Sequence, residues 1–302
     1  MTRAYRRFPK IPLVIVIFTA VAFGFAKKPD LREFSFESKE LSRTATYRIL
    51  LPSDYDSRKS KKTRYPVLYL LHGLSGSRVD WYDRTPLAKL QERQRFVIVM
   101  PDGGNGWYTN SATKPLDKYE SFFFEELMPS VKQNFRIADG RDSTYIAGLS
   151  MGGFGSMKFA LLHPDLFVLA GSFSGALKAP QTDPAQKVEW QLLADSNRDA
   201  FGAMGSITRE KNNIYKMVES LDPQKNAELP FFYIDCGTED SRLGQSSDFA
   251  NLLLERKIPH EFRQLPGRHD WNYWGKQIGE FLRIASRMED ARNNARDEVP
   301  KQ

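Results

Sequence analysis

The 302-residue chain has one cysteine, Cys236, so no disulfide can form within it and its stability must come from a buried core. Histidine is also scarce. Only His72, His163, His260 and His269 are present, which leaves imidazole chemistry few places to sit. No apolar run reaches the ~20 residues that a bilayer-spanning helix needs; Leu13 to Phe25 falls short of that. The first ten residues contain no acid but carry Arg3, Arg6, Arg7 and Lys10, four of the seven charges behind the net +7. The remaining excess is spread out, with no basic helix or aromatic-interleaved patch, so no nucleic-acid partner is expected. The run Gly103-Gly104-Asn105-Gly106 lacks the G-K-[ST] ending of a phosphate loop and reads as a flexible wall of a cleft. There is no internal repeat or low-complexity tract, and neither a metal nor an organic cofactor is expected.

A basic start, an apolar run and small residues Gly24 and Ala26 ahead of Lys27 together have the form of an export signal over residues 1–26. The mature chain is therefore expected to be secreted or periplasmic, touching a membrane only if that segment stays uncleaved. No cysteine lies near the cut, which excludes a lipidated-cysteine anchor. With 41% apolar and 27% charged residues, the remainder suits one globular domain over 27–288 with a polar, frayed tail over 289–302.

Residues 31–38 and 44–51 alternate apolar and polar residues, as an antiparallel hairpin with one wet face does. Val67 to Leu71 is unbroken and apolar, the pattern of a strand buried on both faces. Helical and strand-like segments then alternate: helices at 86–94, 119–135, 152–162, 246–256 and 273–288, strands at 96–100, 144–147, 167–172, 231–236 and 261–265. This order predicts a mostly parallel sheet with helices on both faces. Between 178 and 226 the rhythm is lost, and a lid-like insertion over the active site is expected there.

Gly148-Leu149-Ser150-Met151-Gly152 fits G-x-S-x-G between a strand and a helix, the setting of a nucleophile elbow. A serine hydroxyl needs a base held in the right tautomer, and the partners on such a fold follow in the order Ser, Asp, His. His269 lies in a loop after the last strand; His72 precedes the serine and is expected to brace the His72-Gly73-Leu74 turn. His163 and His260 suit capping or surface roles. The loop after strand 231–236 offers Glu239 and Asp240, and Asp240 is preferred, with Asp235 inside the strand as a structural residue. Backbone N–H groups of Leu74 and Met151 are the expected oxyanion donors. Trp81, Trp107, Tyr108, Trp271, Tyr273 and Trp274 fall beside loops at the carboxyl edge of the sheet; Trp107, Tyr108, Trp271 and Trp274 are the candidates to line a substrate pocket.

Taken together, HGLSG at 72–76, PDGGNGWYTN at 101–110, GLSMGGFGS at 148–156, CGTED at 236–240 and GRHDW at 267–271 resemble the Putative esterase (esterase D-like) family of α/β-hydrolases. That family includes tributyrin esterases, S-formylglutathione hydrolases, feruloyl and acetylxylan esterases and antigen 85 mycolyltransferases. The resemblance implies an α/β-hydrolase fold, a Ser150, Asp240, His269 triad and oxyanion donors at Leu74 and Met151. It further implies a serine esterase acting through an acyl-enzyme on carbohydrate or small acyl esters. Acyl transfer to a sugar is the near alternative. A ligand-binding scaffold without chemistry is the alternative from another class, and the intact Ser, Asp, His set argues against it.

Overall fold

The computed structural model describes residues 30–92, 94–185 and 190–297. The export segment expected at 1–26 and the last residues of the tail lie outside them. Eight strands form one sheet: β1 (Asp30–Ser38), β2 (Arg43–Leu51), β3 (Val67–Leu71), β4 (Val97–Pro101), β5 (Thr144–Leu149), β6 (Leu169–Phe173), β7 (Phe231–Gly237) and β8 (His260–Leu265), in the order β1-β2-β4-β3-β5-β6-β7-β8. The pairs β1–β2 and β2–β4 are antiparallel, and the others are parallel. This is the α/β architecture expected from the alternating pattern.

The unbroken apolar runs occupy the centre because both faces there are covered. Along β3, Val67, Tyr69 and Leu71 enter one core cluster while Leu68 and Leu70 enter the other, as the two-residue period of a strand requires. Each such fully buried side chain contributes roughly 1.5–3 kcal/mol. The edge strand β8, His-Glu-Phe-Arg-Gln-Leu, is only half buried.

The helices are α1 (Asp80–Arg84), α2 (Leu87–Gln91), α3 (Tyr119–Ser121), α4 (Met128–Asn134), α5 (Met151–Leu162), α6 (Gln191–Phe201), α7 (Ile207–Lys211), α8 (Ile214–Ser220), α9 (Leu243–Glu255) and α10 (Trp271–Asp297). Helix α5 is buried all round, from Met151 to Leu161, because it lies between the sheet and a second layer that includes α8. The single helix expected at 119–135 is instead α3 and α4 joined by a wide π-helical turn, Phe122–Leu127, in which the Met128 N–H bonds the Phe123 carbonyl five residues back. Pro129 follows at once and has no N–H to continue the ordinary ladder.

The frayed tail expected from Glu289 is a second correction. Helix α10 continues through Asp297, and Glu289 is buried, accepting a 2.7 Å bond from the Tyr145 hydroxyl. The described helices of the 178–226 insertion pack on the body of the domain, α6 beside the 103–118 loop and α8 against α5 and α9. Ala112 N–H donates to Ala200 O, Trp107 Nε1 donates to Ser196 Oγ, and Tyr215 Oη donates to Gln245 O. The buried Lys158 ammonium of α5 ties this side together, donating to Tyr108 O at 2.6 Å, Glu120 Oε2 at 2.6 Å, and Thr109 Oγ1 and Asn212 Oδ1, both at 3.0 Å. Among the described residues, no helix is long and apolar enough to cross a membrane.

Candidate active site

Ser150 stands between β5 and α5 with φ 51° and ψ −113°, a conformation that L-residues rarely adopt. The chain is held there at both peptide groups: Ser150 N–H donates to Phe173 O and Ala176 N–H donates to Ser150 O, each at 3.0 Å. So sharp a turn needs glycine on both sides. A methyl group at Gly148 would stand 2.5 Å from the Gly152 backbone, and one at Gly152 would stand 2.5 Å from Leu71 O.

His269 and Asp240 stand on two loops joined by backbone bonds. Thr238 N–H donates to Leu265 O at 2.9 Å and Glu239 N–H to Gly267 O at 3.0 Å, so the loop after β7 lies alongside the loop after β8. That pairing brings Asp240 to His269. The His269 Nδ1 to Asp240 Oδ2 distance is 2.8 Å, and His269 Nε2 lies 3.1 Å from Ser150 Oγ. With Nδ1–H given to the aspartate, Nε2 is free to accept the serine proton. Trp274 meets the imidazole edge-to-face at 4.9 Å, which fixes its plane.

Burial pushes the Asp240 carboxyl up, but the His269 bond and charge, the Arg242 N–H and the nearby Ser174 outweigh it and hold the group below the usual aspartate range. Its stabilising contribution is present above the unfolded value of about 4 and is lost as pH falls through the folded value. Glu239 points to solvent and pairs with Arg268 at 2.8 Å. His260 Nδ1 contacts Ile258 O, and the His163 ring packs at a tilt against Phe124, both outside this site.

His72 braces the turn as expected. Its Nε2 accepts from Gly103 N–H at 2.8 Å and its Nδ1 contacts Gly73 O at 2.7 Å, which fits the Nδ1–H tautomer. The turn lies against the elbow, since a methyl at Gly73 would meet Leu149 Cδ1 at 2.6 Å and Ser150 Cβ at 3.5 Å. Among the described residues, neither the Leu74 nor the Met151 backbone N–H has a protein acceptor, and both flank Ser150.

A cavity of about 390 Å³ opens over Ser150, lined by Leu74, His269, Trp271, Trp274 and Trp190 among others. Two of the four aromatic candidates are thus at the cleft and two are not. Trp107 and Tyr108 are buried in left-handed backbone, with Trp107 against Ser196 and the Tyr108 hydroxyl on His72 O at 3.0 Å. They are framework, because the loop doubles back beneath the turn. Nor is the glycine run a flexible wall: a methyl at Gly104 or Gly106 would strike the Tyr119 side chain at 2.1–2.2 Å. Trp190 was not anticipated. It is the one described residue of the 178–226 insertion that lines the cleft, and at 46% exposed it is a large apolar side chain left in solvent.

On β7, Asp235 is fully buried, and burial pushes its carboxyl well above the usual range against the weaker pull of Tyr233, Tyr273 and Arg263. The folded form is therefore neutral where the unfolded form is ionised, so folding takes up a proton and this group costs stability increasingly as pH rises above about 4. Asp235→Asn should raise the melting temperature by a margin that grows as the pH rises above about 4. A margin that shrinks with pH would contradict this reading.

A model of the family described as Putative esterase matches residues 38–283. The acetyl esterase of Caldicellulosiruptor saccharolyticus is 28% identical over 266 residues, which cover 86% of this chain and 99% of that protein. Esterase Rv1288 of Mycobacterium tuberculosis is 31% identical over 85% of this chain, which spans only 61% of that longer protein. The solved structure of FphF, a fluorophosphonate-binding serine hydrolase of Staphylococcus aureus, superposes with a TM-score of 0.75 at 26% identity, covering 85% of this chain and 98% of that one.

Proposed function

The chain belongs to the Putative esterase family, and we propose that it is an exported serine esterase working through an acyl-enzyme on Ser150. The observation that carries the reading is the hydrogen-bonded line Asp240–His269–Ser150 at the foot of an open cleft. Ser150 Oγ attacks the ester carbonyl while His269 Nε2 takes its proton, and Asp240 supports the imidazolium that forms. The carbonyl oxygen becomes an oxyanion facing the Leu74 and Met151 N–H groups, each such donor worth roughly 3–4 kcal/mol in the transition state. His269 then returns the proton to the departing alcohol, and water repeats the sequence to release the acid and free Ser150.

The cleft, about 390 Å³, is rimmed by Trp190, Trp271 and Trp274, which suits a small acyl group carried on a carbohydrate or other compact alcohol. The relatedness to an acetyl esterase supports the same choice. Export rests on the signal-like residues 1–26, with cleavage before Lys27 and a periplasmic or extracellular destination. The test is hydrolysis of p-nitrophenyl acetate, butyrate and octanoate and of methyl ferulate by protein starting at Lys27. Rates should fall from acetate to octanoate. No turnover of any ester would overturn the esterase reading in favour of acyl transfer or a binding role.

A further inference from the structure

We propose that Asn105 is a positioning residue for the oxyanion turn, holding the Leu74 peptide in place from the neighbouring loop; this rests on the serine-esterase reading above. The turn is fixed by a small set of bonds. His72 Nδ1 contacts Gly73 O at 2.7 Å, and Gly76 N–H donates to the same oxygen at 3.0 Å. Because the peptide group is planar and trans, locking the Gly73 carbonyl aims the Leu74 N–H the opposite way. That settles one side of Leu74. The peptide on its other side ends in the Ser75 N–H, which donates to Asn105 Oδ1 at 2.8 Å.

Ser75 itself sits at φ 60°, a left-handed conformation that a non-glycine residue keeps only when its surroundings impose it. The Asn105 side chain supplies that constraint from outside the turn. The loop that carries it is rigid, with Gly103 N–H bonded to His72 Nε2 at 2.8 Å and the Tyr108 hydroxyl to His72 O at 3.0 Å. One loop thus grips the turn at His72 from behind and at Ser75 from the front. Without Asn105 the His72 grip persists, but Ser75 is free to relax toward ordinary backbone and to carry with it the Gly76 N–H that shares in holding the Gly73 carbonyl, so the Leu74 N–H is aimed less firmly.

The Ser75–Asn105 bond is at the surface, where water can partly replace the lost acceptor, so the loss should be about tenfold, below the 10²–10³ of a deleted oxyanion donor. The experiment compares Asn105→Leu, which keeps the size and removes the acceptor, with Asn105→Asp, which keeps an acceptor oxygen. For each, kcat and KM on p-nitrophenyl acetate, the rate of fluorophosphonate labelling of Ser150 and the melting temperature are measured. Asn105→Leu should lower kcat and labelling together by about tenfold with KM and melting temperature little changed, and Asn105→Asp should recover most of both. A Leu variant equal to wild type, or an Asp variant worse than Leu, overturns the proposal. Wild-type protein that neither turns over esters nor labels overturns the esterase reading and this inference together.

Discussion

Ser150→Ala should lower kcat on any ester the wild type accepts by about 10⁴-fold or more, while the melting temperature moves by no more than a few degrees. The loss follows from geometry: among the described residues, the hydroxyl bonded to His269 Nε2 is Ser150 Oγ, at 3.1 Å. His269→Ala should cost about as much, and the double variant little more than either alone, because a base without a nucleophile and a nucleophile without a base are equally idle. A graded, additive pair would mean that the two residues act separately. The backbone adds a second signature. At φ 51° and ψ −113° Ser150 is strained by roughly 1–3 kcal/mol, so the equally inactive Ser150→Gly should be more stable than Ser150→Ala. Chemical denaturation of the two variants measures that difference directly.

Lys158→Met is expected to destabilise the fold by about 3–5 kcal/mol, because it removes one partner of a buried ion pair and strands the other. The ammonium is wholly buried and Glu120 about 30% exposed at the side chain, so the larger share of the loss falls on the Tyr108, Thr109 and Asn212 acceptors that no water can reach in its place. Burial lowers the Lys158 pKa, and Glu120 partly restores it. At roughly 2–4 °C per kcal/mol for chains of about this size, the melting temperature should fall by about 6–20 °C. Leu254→Ala, at a site 68% exposed, is the control and should change stability by less than about 0.5 kcal/mol. A Lys158→Met protein as stable as that control would remove Lys158 from the account of how the insertion is anchored.

What the sequence made legible was what local chemistry alone dictates. The apolar strand β3, the G-x-S-x-G elbow and the late histidine each carry their reason within a few residues, and each stands where it was expected. Asp240 over Glu239 needed one more step, since only the pairing of two loops turns one acid inward to His269 and leaves the other on Arg268. Trp107 and Tyr108 were misplaced because composition cannot tell an aromatic at a loop from one tucked beneath it. Lys158 and Asn105 were missed for a related reason. A lysine inside an apolar helix and an asparagine inside a glycine run show their meaning only when partners 38 to 54 and 30 residues away are brought alongside. The tail was misjudged because its polar residues reach back to the sheet, with Glu289 meeting Tyr145.

The most direct test of the central claim is to stop the enzyme in acid during turnover of p-nitrophenyl acetate and map the mass added to its peptides. One acetyl group should appear, on the peptide containing Ser150, and it should be absent from Ser150→Ala. Acetylation of a different residue, or steady turnover with no acylated peptide at all, would contradict the assignment of Ser150 as the nucleophile.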